Sequence, residues 1–127
     1  TGEATALNTR EWKYAAFFNR VKQAVAAKWD PNGRLKTREP NRQLYAPRTT
    51  VLAVALREDG TLADVFVMKP CGLDHLDQEA VAAFERAAPF PNPPTGLVEG
   101  GYIRFQFGFT LTPTENGFMP VMRPPGR

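Results

Sequence analysis

Apolar residues along this chain repeat with two different periods. Tyr14, Phe18, Val21, Val25 and Trp29 are spaced by four, three, four and four, which lines them up as one stripe of a 3.6-residue helix. Arg20, Lys22, Gln23 and Lys28 fill the other faces, and Lys28 suits the negative end of the helix dipole. Asn8 offers an N-cap, with Glu11 three residues on to reach back to its amide. Asp30-Pro31-Asn32-Gly33 stops the helix, since proline cannot continue it. Over residues 49–57 the period changes to two. Leu52, Val54 and Leu56 fall on one side, and Ala53, Ala55 and Arg57 on the other, as in a strand. Glu58-Asp59-Gly60 reads as a hairpin turn, glycine accepting the positive φ that tight hairpins require. Residues 62–69 follow as a second, more thoroughly apolar strand, ended by Pro70-Cys71-Gly72.

The helical period returns over residues 74–87, where Leu76, Ala80, Ala83, Phe84 and Ala87 form a stripe of mostly small residues. Asp74 is placed as its N-cap, and Asp77 and Glu79 sit near the positive end of its dipole. Pro89, Pro91, Pro93 and Pro94 then impose an extended segment. Ile103, Phe105, Phe107, Phe109 and Leu111 alternate with Arg104, Gln106, Gly108 and Thr110 to give the clearest strand in the chain. Residues 1–8 read as a polar lead-in. Residues 112–127, with Pro113, Pro120, Pro124 and Pro125, read as a trailing tail. The expected fold class is α+β, in the order α-β-β-α-β, over residues 9–111. A three-stranded antiparallel sheet carries both helices on one face. Such a sheet leaves an edge whose amides and carbonyls can pair with an extended peptide.

Composition narrows this only slightly. The 127 residues are 43% hydrophobic and 23% charged, as suits one folded domain. The net charge of +3 changes the picture through its distribution. Residues 34–48 form a basic connection in which Arg34, Lys36, Arg38, Arg42 and Arg48 face Glu39 alone, candidate contacts for an acidic ligand. Cys71 is the single cysteine, so no intrachain disulfide forms. No apolar run approaches the roughly 20 residues that span a bilayer. The chain starts at Thr1 without methionine and reads as a piece of something longer.

The residues offer little for catalysis. There is no serine, which removes serine-hydrolase chemistry. Cys71 and His75 stand four apart at a helix start, but no third group orients them, and a small buried thiol with an exposed histidine explains both. His75 with Glu79 supplies two ligands where structural zinc wants four. The expectation is no enzyme, no metal and no cofactor. Nucleic acid is weighed on the basic connection with Tyr45. It is set aside because the aromatic face of the last strand is expected to meet the helices, whereas an RNA platform needs an open one.

These residues together resemble a known family. The stripe from Tyr14 to Trp29 followed by Pro31 is similar to the first helix of the C-terminal domain in TonB- and TolA-type envelope proteins. The stretch from Thr50 to Phe66 with its Glu58-Asp59-Gly60 turn resembles their central hairpin. Leu76-Asp77-Gln78-Glu79-Ala80 to Phe84, with the prolines around Phe90-Pro91, resembles their second helix and its exit. The phenylalanine strand takes the place of their last strand. The resemblance implies a periplasmic domain of an inner-membrane-anchored protein. An upstream anchor outside this chain couples to an inner-membrane complex driven by the proton-motive force, and the domain docks an outer-membrane or other envelope protein. It implies strand addition along the last strand, with Tyr102, Arg104, Gln106, Gly108 and Thr110 as partner-binding positions. The long basic connection and long tail depart from the family pattern. They keep open an alternative, a structural interaction module of an envelope-spanning motility or secretion machine without force transmission. Pairing of an edge with a second copy, giving a homodimer, also stays open.

Overall fold

The computed structural model describes residues 14–33, 46–114 and 117–125. Its elements in chain order are α1 (Ala15–Ala26), β1 (Arg48–Arg57), β2 (Leu62–Lys69), α2 (Asp74–Ala87), a short 3₁₀ turn (Thr95–Leu97), β3 (Tyr102–Thr114) and β4 (Gly117–Arg123). The sheet is antiparallel in the order β2-β1-β3-β4. Both helices pack on one face, where Leu52, Val54 and Leu56 stand opposite Phe107, Phe105 and Ile103.

The core on that face is aromatic. Phe84 of α2 is fully buried, and its ring lies 5.1 Å from Phe107, 5.7 Å from Phe90 and 6.1 Å from Phe109, meeting each edge to face. Such geometry sets the positive edge of one ring against the negative face of the next. Ala80 and Ala83 are fully buried beside Phe84, and their small size lets α2 lie close on the sheet. On α1, Phe17, Phe18, Val21 and Val25 are buried. Phe17 extends the expected stripe, and Tyr14 and Trp29 pack half-buried at its ends.

The expected fold class holds with one strand more. The segment expected to trail off contains β4, which pairs with β3 from Gly108↔Arg123 to Thr114↔Gly117. Proline is tolerated there because β4 lies at the end of the sheet, where a missing donor on the outward side breaks no ladder. Met122 explains the energetics: it stands opposite Phe109 and is buried against the core.

Helix starts also differ from the sequence reading. Asn8 and Glu11 lie outside the described residues, and Tyr14 occupies the N-cap of α1 with no side-chain capping bond to the helix start. At α2 the cap is Leu73 and Asp74 is the first helical residue. Asp77, read as a dipole partner, is buried: it accepts the Thr50 hydroxyl at 2.6 Å and the Cys71 amide at 3.0 Å. Glu79 is buried too, accepting the Asp30 amide at 2.8 Å and Arg86 Nη1 at 3.0 Å. It thereby ties the exit of α1 to α2. Glu79→Ala is expected to lower unfolding free energy by about 2 kcal/mol by stranding the part-buried Asp30 amide. Urea melts give the loss, and hydrogen exchange at Asp30 should speed up with it.

Candidate partner-docking edge

The first turn of β3 is set by two glycines. Gly100 and Gly101 have φ of 61° and 86°, which side chains resist, and they let Glu99 and Tyr102 close a tight turn. Glu99 donates its amide to the Tyr102 carbonyl at 2.8 Å and accepts the Tyr102 amide at 3.2 Å. In an antiparallel ladder each residue turns both backbone groups to one neighbour, and successive residues alternate. Tyr102 uses both on Glu99. The groups of Ile103, Phe105 and Phe107 therefore face β1, with which β3 pairs without a register break. Those of Arg104 and Gln106 face away.

On that side β4 begins at Gly108↔Arg123, and no described strand pairs with residues 103–107. The result is a slot with defined ends. Glu99 closes one end, and Arg123, opposite Gly108, closes the other. Its core side is lined by Phe105, whose ring stands 5.3 Å from Phe18 of α1. On the opposite face Arg104 lies over the Tyr102 ring at 5.0 Å and Gln106 is exposed.

The sequence placed the docking edge along the whole strand, and the structure divides that set. Arg104 and Gln106 line the slot. Tyr102 forms its closed end. Gly108 and Thr110 stand opposite Arg123 and Val121, so β4 occupies their edge, and the sequence missed this because it missed β4. The outer edge of β2 is the other open flank, but register breaks bracket it and exposed Asp64 stands within it, devices that blunt edge pairing.

Among the expected acidic-ligand contacts, Arg34, Lys36, Arg38 and Arg42 lie outside the described residues. Arg48 belongs to β1, and its Nη1 donates to the Cys71 carbonyl at 2.8 Å, a structural tie rather than a free cation. Cys71 is half-buried, its thiol pushed up from the ordinary pKa by desolvation. His75, expected to be exposed, is buried on α2. The residue pattern carries no sign of this, because the helix face around His75 reads as polar. No group of three or more metal-ligating side chains is assembled among the described residues. Phe105, Phe107 and Phe109 point into the core.

A family profile described as TonB C terminal matches residues 14–109, from the first buried helix into the middle of β3. The chain belongs to the TonB C-terminal family. The solution structure of the Helicobacter pylori TonB C-terminal domain is similar to it, with a TM-score of 0.51 at 16% identity, covering 94% of this chain and 95% of that one. At that identity the likeness speaks for the fold. No curated protein matches the chain. TonB C-terminal domains are envelope protein-interaction domains, non-enzymatic as a family, and periplasmic parts of inner-membrane-anchored proteins. Within the described residues of this TonB-type domain no helix is long and apolar enough to cross a membrane.

Proposed function

We propose that this TonB-type domain docks an outer-membrane or other envelope partner by taking an extended segment of it as a short strand against residues 103–107. The observation that carries the reading is the bounded slot: Arg104 and Gln106 turn amide and carbonyl outward between Glu99 and Arg123. A guest strand there would continue the rank of β4 and make up to four backbone bonds. Each such bond contributes about 1 kcal/mol net, which suits reversible docking. Main-chain bonds give affinity, while the guest's alternate side chains meet Phe105 on one face and Arg104 and Gln106 on the other. In the fuller reading the domain is the periplasmic end of an energy transducer. An upstream membrane anchor, coupled to a proton-motive-force complex, pulls on the docked partner.

Gln106→Pro tests the docking step. Proline removes the outward amide of residue 106 while leaving the bonds of Phe105 and Phe107 to β1. Far-UV circular dichroism should report a folded domain, and affinity for an extended partner peptide should fall by at least about tenfold. Undiminished binding by the folded variant would contradict docking at this edge.

A further inference from the structure

The large apolar side chains that remain exposed among the described residues are Phe66, Met68, Tyr102, Met119 and Val121. They are not scattered. By register, Phe66, Tyr102, Met119 and Val121 fall on the sheet face opposite the helices, and Met68 follows Phe66 at a β2 irregularity. A two-layer α+β domain has covered one sheet face and left the other with its apolar surplus. Grouped exposure of this kind marks interaction surfaces.

The middle of that face is low. Phe66 stands opposite Ala53, which stands opposite Gln106, and Asp64 stands opposite Ala55, which faces Arg104. The small side chains of β1 thus floor a shallow trough walled by Asp64 and Phe66 on one side and Arg104 and Gln106 on the other. Neighbouring strands lie about 4.8 Å apart, so the walls on β2 and β3 are separated by roughly 9.6 Å. A helix with its side chains is about 10 Å across and would rest on the alanine floor.

Charge selects the occupant. The described side chains of this face carry Arg57, Lys69, Arg104 and Arg123 against Asp64 and, through its bridge to Tyr102, Glu99. A second copy would bring the same cations into apposition, which disfavours face-to-face self-association. We infer that this face docks an amphipathic helix of a partner protein whose apolar stripe is bordered by Asp and Glu side chains. The surface is distinct from the β3 slot, although Arg104 and Gln106 border both.

The test uses the ¹⁵N-labelled domain and three probes. One is a helical peptide of about 20 residues with a Leu/Ala stripe bordered by Glu, long enough to hold its helix. The second is the same peptide with Lys for Glu, and the third is phosphatidylglycerol vesicles. The acidic helix is expected to shift the amides of Ala53, Ala55, Asp64 and Phe66, with affinity falling as salt rises. Phe66→Glu should weaken it by about tenfold or more, since it removes the ring and repels the probe. That variant should stay folded because Phe66 is more than half exposed in the domain. Phe66→Glu should leave binding of an extended peptide at residues 103–107 unchanged, which separates this face from the slot. The inference is overturned if the Lys helix binds as tightly or the acidic helix shifts none of these amides. Vesicles engaging the face without the acidic helix doing so would overturn it too, as would protein concentration alone producing the shifts, which would assign the face to a second copy.

Discussion

Replacing Phe84 by alanine is expected to lower the unfolding free energy by about 3–5 kcal/mol, as for other fully buried aromatic residues. The ring is the hub of the core, touching Phe105, Phe107 and Phe109 of β3 and Phe90 beyond α2. Alanine would leave a cavity that these rings cannot collapse into, because each is held by the sheet register or by the proline-rich exit from α2. Against a typical total of about 5–15 kcal/mol, that loss is a large share of the domain's stability. A urea melt should show the midpoint falling by about 1 M or more with an unchanged slope. A loss below about 1 kcal/mol would mean that this aromatic cluster does not hold the helices to the sheet.

The second large effect is expected at Gly60, in the β1–β2 turn. Its φ is +90°, and a Cβ built there meets the carbonyl oxygen of Phe90 at a distance no side chain tolerates. The approach is close because the Phe90 amide donates to the Gly60 carbonyl at 2.9 Å, docking the turn onto the segment after α2. Gly60→Ala combines a disfavoured backbone conformation with a backbone clash and should cost about 2–4 kcal/mol. Neighbouring Asp59 holds its own turn through the Thr61 hydroxyl at 2.6 Å and amide at 3.0 Å, bonds that keep its carboxyl below the usual pKa. Glu58→Ala in the same exposed turn should change stability by no more than about 0.5 kcal/mol. Equal effects at the two positions would mean that the contact with Phe90 is not what fixes the turn.

The sequence revealed much of this architecture where one residue's period states its environment. Leu52, Val54 and Leu56 alternate, so β1 and its buried face were legible. The Ala80, Ala83, Phe84 stripe made α2 legible to its ends. Period fails where burial depends on distant partners. Glu79 and Asp77 look like helix-start acids, yet their burial is explained by the Asp30 amide and the Thr50 hydroxyl, 49 and 27 residues away. β4 was hidden because Pro120, Pro124 and Pro125 read as strand-breaking, and only its position at the sheet's end makes Pro120 acceptable. That omission carried into the candidate site. Without β4 the candidate docking edge ran over residues 102–110, and with it the open part of that edge shortens to residues 103–107. The exposed Phe66 had a faint signal, β2 being apolar on both faces, but nothing in the chain said that one of those faces would remain uncovered.

Strand addition at the slot is tested most directly by titrating the ¹⁵N-labelled domain with an extended peptide from a candidate outer-membrane partner and following its backbone amides. Shifts are expected to concentrate on residues 103–107, with the Arg104 and Gln106 amides, which no described strand pairs, becoming protected from hydrogen exchange. Saturating shifts along Leu62–Lys69, with exchange at Arg104 and Gln106 unchanged, would contradict strand addition there.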